Sequence, residues 1–337
     1  MEKEWLFGKT LDELTAVAAS LGMPRYAAAQ IASWLYKKGA RSIDQMSDLS
    51  LKNRSALEEA YQAGALAPLR REESEDGTKK YLFPTLGEGF IESAYIPDGD
   101  RATLCVSSQA GCKMGCAFCM TARQGFQHDL SAGEILNQMR SIPEGATLSN
   151  IVYMGMGEPL DNYEQVIKSL DILTSEWGYA WSPTRITLST IGVIPRLRRL
   201  LDESGVHIAV SLHSPFPEQR AELIPAEKSW PAAQVVELLK EYDFTRQRRV
   251  SFEYIVFKGL NDSPAHVRGL ARLLDGLKCR INLIRFHAIP DSPLASPDQA
   301  AMTRMRDALS AKGIITTIRA SRGEDIKAAC GLLSTKR

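Results

Sequence analysis

No run of eighteen or more apolar residues occurs anywhere in the 337 residues, which argues against a membrane-spanning helix. The opening stretch, MEKEWLFGKTLDEL, lacks the basic-then-apolar plan of a secretion signal. An excess of one charge is also missing. Lys plus Arg number 41 against 40 Asp plus Glu, so the net charge of +1 permits a local nucleic-acid patch without demanding one. No internal repeat or low-complexity segment stands out, which excludes solenoids and arrays. Cysteine is scarce, at six residues. A soluble, cytoplasmic protein is expected, and in that compartment thiols are reduced rather than paired for structure. What remains is an ordinary globular composition, 44% hydrophobic and 24% charged, long enough for one large domain and one small one.

Residues 9 to about 62 read as helical. KTLDELTAVAASLG offers Thr10 as a cap, Leu11, Leu14, Val17 and Ala18 on one face, and Gly22 as a stop. RYAAAQIASWLYKKG and SLKNRSALEEAYQAG follow, each ending at glycine. From Asp76 the pattern changes to two short strands around Gly87–Gly89, a predicted hairpin. Beyond it, six strand-like runs (ATLCVSSQ, NIVYMGMG, RITLSTIG, HIAVSLHS, RVSFEYIVF and CRINLIRFH) alternate with amphipathic helical segments. The expected organisation is an α/β fold: an N-terminal helical domain over 1–75, a β-hairpin linker over 76–98, and a catalytic domain over 99–337. The last would be a partial (β/α)6 barrel of parallel strands with a C-terminal tail. In such sheets chemistry gathers at the C-terminal ends of the strands.

Half of the cysteines, Cys112, Cys116 and Cys119, sit in AGCKMGCAFCM, just past the first of these strands. Zinc sites usually pair two such knuckles, and no second pair follows. A zinc ion completed by a histidine remains one reading. The other is an iron–sulfur cluster on three thiolates, leaving one iron open to a ligand. C-x3-C-x2-C in this place resembles the radical S-adenosylmethionine superfamily, where the open iron is chelated by S-adenosyl-L-methionine. Downstream, MGMGEP ends the second strand, Ser189 the third, and Ser211 and His213 the fourth. Each alone could satisfy a strand-end hydrogen bond; together, on the face that carries the cluster, they suggest a ligand pocket.

TLCVSSQAGCKMGCAFCMTARQGF, YMGMGEPLDNY, ITLSTIGVIP, AVSLHSPFPEQRAELIP, GLNDS and RGEDIKAACG together resemble the RlmN/Cfr family of radical methyltransferases, which modify adenine in ribosomal RNA. TIRASRGEDI lies closer to the RlmN branch, which methylates carbon 2, than to the Cfr branch, which methylates carbon 8. The resemblance implies that Cys112, Cys116 and Cys119 hold a [4Fe–4S] cluster. It implies that Gly157, Glu158, Ser189, Ser211, Leu212, His213 and His287 contact S-adenosyl-L-methionine, His287 standing where an asparagine is common. It further implies that Cys330 becomes S-methylated, that Cys105 resolves a protein–RNA adduct by a transient disulfide, and that Glu92 is the proton acceptor. Cys330 already looks unusual without it, since a thiol in a polar, glycine-flanked tail gains little as an apolar filler.

The implied partners are 23S rRNA, a transfer RNA, and an external electron donor of the flavodoxin or ferredoxin kind. A monomer is expected. Residues 1–75 carry ten Lys or Arg and eleven Asp or Glu, so this domain is not basic. Lys37, Lys38 and Arg41, or Arg246, Arg248 and Arg249, are candidate phosphate contacts, though solvated helix ends and loops would read the same. Two rivals stay open: a radical enzyme acting on another substrate, and a metal-stabilised RNA-binding module without catalysis.

Overall fold

The computed structural model describes residues 3–244 and 250–335. Ten strands form one open sheet and lie side by side in chain order. The first four, β1 (Arg70–Glu73), β2 (Lys79–Pro84), β3 (Phe90–Asp98) and β4 (Arg101–Cys105), are each antiparallel to the next. From β4 the sheet turns parallel through β5 (Asn150–Tyr153), β6 (Ile186–Thr190), β7 (His207–Ser211), β8 (Val250–Val256), β9 (Cys279–Arg285) and β10 (Ile315–Ile318). Parallel strands need crossovers that cover the sheet, and β8 shows the result: Val250 and Phe252 to Val256 are all buried.

The crossovers are helical, and the helices are α5 (Ala132–Arg140), α6 (Tyr163–Thr174), α7 (Ile194–Glu203), α8 (Pro217–Leu223), α9 (Ala232–Lys240), α10 (Pro264–Leu273) and α11 (Gln299–Ser310). A short helix, α4 (Met120–Gln124), follows directly on Cys119. The six predicted strands are all present, and the fold is the expected α/β arrangement of a partial barrel with helices ahead of it. Two strands lie outside the sequence expectation. β10 is only four residues long, with one buried position, and β1, RREE, has no apolar residue at all. The predicted hairpin, β2 with β3, is not a free-standing link, since it continues the barrel sheet through β4.

The N-terminal helices are α1 (Leu11–Ser20), α2 (Ala27–Ala32), which runs on as a wider turn over Ser33–Lys37, and α3 (Leu51–Ala60). Thr10 caps α1 as its sequence predicts: its hydroxyl accepts from the Glu13 N–H at 3.3 Å and the Glu13 carboxylate accepts from the Thr10 N–H at 2.8 Å. Leu14, Val17 and Ala18 are buried, with Leu11 packed beside them. These helices dock on α5 and α6. Arg140 donates to the Gly64 carbonyl at 2.7 Å and stacks over Phe7, while Lys168 meets Glu13 at 2.6 Å. Lys38 is engaged locally, over the Trp34 ring and 3.4 Å from Asp48, whereas Lys37 and Arg41 are exposed. Arg246, Arg248 and Arg249 lie outside the described residues. No helix among the described residues is long and apolar enough to cross a membrane.

Candidate active site

The loop after β4 folds back on itself at Gly111. Its φ is +79°, and a Cβ there would stand 1.8 Å from the Gly125 carbonyl oxygen, so only glycine lets the loop close. The closed loop presents Cys112, Cys116 and Cys119 to one cavity of about 390 Å³ at the C-terminal ends of the parallel strands. All three are free thiols. Burial, helped by the neighbouring sulfurs and by Glu158, pushes Cys112 up to about 12 and Cys116 well above the ordinary thiol range. Three half-buried thiols set together gain by releasing their protons to solvent and binding a cationic group as thiolates. Among the described residues no set of three His, Cys, Asp or Glu side chains is placed to hold one metal ion. Thiolates arranged around an open cavity fit a cluster, in which each takes a separate iron, better than a closed zinc site.

The strand-end residues line that same cavity: Gly157, Glu158, Ser189, Ser211, His213 and His287. Gly157 again needs its missing side chain, since its φ is +98° and a Cβ would lie 2.6 Å from that of Gln109. Glu158 is more committed than its sequence suggests. Oε1 accepts from the Leu160 N–H at 3.1 Å and from Thr190 Oγ1 at 2.6 Å, and Oε2 accepts from the Ile191 N–H at 3.0 Å. One lone pair on Oε2 is left for a ligand. Burial outweighs these bonds and raises the carboxyl to about 7.

His213 is a neutral donor by construction. Its Nδ1 accepts from the Ile255 N–H at 2.9 Å, which leaves the proton on Nε2. Burial, with a smaller push from Arg220, holds the imidazolium form down to about 3. The ring edge meets Phe118, the residue before Cys119, at 4.8 Å between centroids. Leu212 does not line the cavity. It is buried, and its backbone carries the contacts: N–H to the Glu253 carbonyl at 3.0 Å, carbonyl to Arg220 Nε at 3.0 Å. Arg220 binds the strand ends together, donating also to the Ile191 and Ser211 carbonyls at 3.0 and 2.9 Å and pairing with buried Glu227.

The tail crosses the cavity mouth. Gly323 N–H donates to Asp76 at 3.0 Å and Ser74 to Asp325 at 2.6 Å, beside β1 and β2. At the far end Met120 N–H donates to the Gly331 carbonyl at 2.8 Å, and Thr121 to that of Leu333 at 2.7 Å. This strapping sets half-buried Cys330 into the same cavity as buried Cys105 and the cysteine loop. His287 stands 3.3 Å from Ser321 of the tail. Glu324 also lies 3.3 Å from its Nδ1, yet without the alignment of a hydrogen bond, so that nitrogen has no hydrogen-bond partner among the described residues. Glu92 is not among the cavity-lining residues. It is buried on β3 under the end of the tail, 3.3 Å from Lys80 and accepting from the Ser334 N–H at 3.0 Å.

Among the cavity residues that escaped the reading of the sequence are Arg319 and Glu253. Arg319 follows directly on β10, 3.9 Å from Glu253 and donating to the Met154 sulfur at 3.3 Å. Its guanidinium is held charged first by its proximity to Cys330 and then by Glu253 and Cys105. Glu253 is buried, and its Oε2 has no hydrogen-bond partner among the described residues. The strand-end rule that singled out Ser189 and Ser211 would have found Arg319 had β10 been recognised.

The family model of the Radical SAM superfamily matches residues 106–271, and that of the Ribosomal RNA large subunit methyltransferase N-terminal domain matches residues 5–62. The chain is 59% identical over 337 residues to the probable dual-specificity RNA methyltransferase RlmN of Bacteroides thetaiotaomicron, covering 100% of this chain and 98% of that one. It is 42% identical over 331 residues to the dual-specificity RNA methyltransferase RlmN of Syntrophus aciditrophicus, with 97% and 95% covered. The crystal structure of a radical SAM methyltransferase from Sphaerobacter thermophilus shares 40% identity and a TM-score of 0.92, covering 98% of this chain and 99% of that one.

Proposed function

Because the chain belongs to the RlmN family of dual-specificity radical SAM RNA methyltransferases, we propose that it methylates carbon 2 of an adenine in 23S rRNA and of an adenine in a transfer RNA anticodon loop. The observation that carries this reading is the convergence of Cys105 and Cys330, more than two hundred residues apart in sequence, on the cavity of the three-cysteine loop. Radical SAM enzymes share the loop; a second pair of thiols beside it serves a reaction that passes a methyl group through the protein.

Carbon 2 of adenine is electron-poor and cannot displace a methyl group from a sulfonium, whereas a thiolate can. Cys330 is the methyl acceptor in this reading, and Cys105 the thiol that releases the RNA from it. Cys112, Cys116 and Cys119 would hold the [4Fe–4S] cluster, and Gly157, Glu158, Ser189, Ser211, Leu212, His213 and His287 would hold S-adenosyl-L-methionine. When bound, these groups supply the methyl carbon and the radical that removes hydrogen from it. His213 Nε2–H offers a fixed donor, and the backbone around Leu212 holds the strand end in place. Glu92, held just beyond the cavity by the N–H of Ser334, the neighbour of cavity-lining Leu333, is the proton acceptor in this reading. The target base must leave its stack to reach the cavity, so looped or single-stranded RNA is the substrate form. The N-terminal helices make further RNA contacts, an external protein supplies electrons, and the enzyme works as a cytoplasmic monomer.

Digestion of RNA from cells with and without the protein tests the product directly. Loss of 2-methyladenine on deletion is expected; loss of the 8-methyl isomer instead would overturn the assignment. Cys105→Ala should accumulate a covalent protein–RNA adduct, seen as a nuclease-sensitive shift on a denaturing gel.

A further inference from the structure

Glu92 reaches its place through the antiparallel side of the sheet, not through the barrel. β2 and β3 pair so that Leu82 faces Glu92, and β1 and β2 so that Glu72 faces Lys80. Lys80 therefore lies diagonally across from Glu92, within reach of a long side chain. Its side chain is nine-tenths buried, with the ammonium group 3.3 Å from Glu92 Oε1 and 3.2 Å from Glu72 Oε2. A lysine is seldom hidden this deeply unless it is paired. The other Glu92 oxygen, Oε2, meets only the Ser334 N–H, at 3.0 Å. The main chain around Glu92 is held too: its N–H donates to the Met156 sulfur at 3.3 Å, and its carbonyl accepts from Ser107 Oγ at 2.6 Å. Among the described residues, Lys80 and Glu72 are thus the charged groups that bear on this carboxylate.

We propose that Lys80 is the positioning residue for Glu92, anchoring Oε1 and keeping the carboxylate ionised so that Oε2 is free to take the proton. The proposal rests on the reading of Glu92 as proton acceptor. Its physical basis is a conflict of two effects. Burial favours the neutral acid, which cannot act as a base, and Glu72 pushes the same way; the ammonium of Lys80 opposes both, as does the Ser334 N–H. Without Lys80, Glu92 would be a buried carboxyl beside a second carboxylate and would ionise only at higher pH.

The test follows the release of methylated RNA in a single turnover of the holoenzyme as a function of pH, for the wild type, K80M, K80R, E72Q and E92Q. In parallel, the Glu92 carboxyl is titrated by infrared difference spectroscopy against E92Q. K80M should move the acid limb and the carboxyl midpoint up by about one unit or more, lowering release on that limb on the order of tenfold. It should recover toward the wild-type rate at alkaline pH, and K80R should restore the profile. E72Q, which leaves Lys80 to Glu92 alone, should shift the midpoint the other way. The double variant K80M, E72Q, which leaves no orphaned Glu72 charge, should have a midpoint above that of E72Q and decides the matter if K80M alone does not fold. Normal release by E92Q would overturn the role of Glu92 itself. A stalled E92Q beside a K80M enzyme whose midpoint stays at the wild-type value, or whose rate falls equally at every pH, would overturn the role of Lys80 alone.

Discussion

Along the cavity wall, from Glu158 to His213, polar groups are held by neighbours on the same or adjacent strand ends. Across the mouth, the tail from Arg319 to Thr335 is tied at a few points to elements far away in sequence. The wall is tied by Arg220, which spans the ends of β6 and β7 through three carbonyls, and by Glu158, which accepts two bonds from the end of β6 and one from its own loop. The tail is held mainly by Asp76 and Ser74 at one end and by Met120, Thr121 and Gln124 at the other. A cofactor site needs a rigid wall. The role proposed for Cys330, meeting a methyl donor, an RNA base and a second thiol in turn, needs a support that can shift.

The sharpest way to separate the two regions is by chemistry. Cys330→Ala should abolish RNA methylation while leaving iron and sulfide content at wild-type levels, because the tail thiol is not part of the cysteine loop. Cys112→Ala should lose both. Iron loss in the Cys330 variant would break the distinction between wall and mouth.

Stability should divide the same way. Arg220→Met leaves Glu227 as a buried charge without its partner, which costs about 3–5 kcal/mol. Chemical denaturation of the variant measures it, and the double variant Arg220→Met, Glu227→Gln should recover part of the loss. Ser74→Ala in the tail strap should cost only about 1 kcal/mol. Comparable losses at the two sites would show that the mouth is as firmly built as the wall.

The two regions also differ in how far the sequence reveals them. The wall follows local rules: a strand, a glycine or polar residue at its end, and a cysteine spacing with one ligand missing. Periodicity and spacing placed Cys112, Gly157, Ser189 and His213 on one face, and the structure brings them to one cavity. The mouth has little local signature beyond the odd placing of Cys330 in a polar, glycine-flanked tail. Cys105 and Cys330 meet only through the whole sheet, and resemblance to a family, not pattern, drew attention to Cys105 and Glu92. β1 was hidden because RREE is an edge strand that uses charge to deter further pairing, with Glu72 and Glu73 facing Lys80 and Lys79. β10 was hidden because four residues with one buried position carry no usable alternation, and with it went Arg319. Nothing local marks Arg220 or Lys80 as buried; Arg220 is paired with Glu227 and Lys80 with Glu72 and Glu92, contacts that the folded loop and the strand register create.

The weakest effect should come from the outer strap, through pH. Asp76 is slightly penalised by burial, but hydrogen bonds from Thr78, Gly323 and Ser74 outweigh this and hold its carboxyl down to about 2. A folded pKa below the unfolded value near 3.9 means the strap's contribution is complete above that value and is lost as pH falls through about 2. Asp76 is exposed, so solvent screens the effect and global stability should barely register it. Local opening should. Asp76→Asn at neutral pH keeps an acceptor but removes the charge, and amide exchange at Gly323 and its neighbours should quicken while exchange at Leu212 and Ile255 stays at the wild-type rate. Equal acceleration at both places would mean that the strap and the wall open as one unit, and that Cys330 cannot move without disturbing the cofactor site.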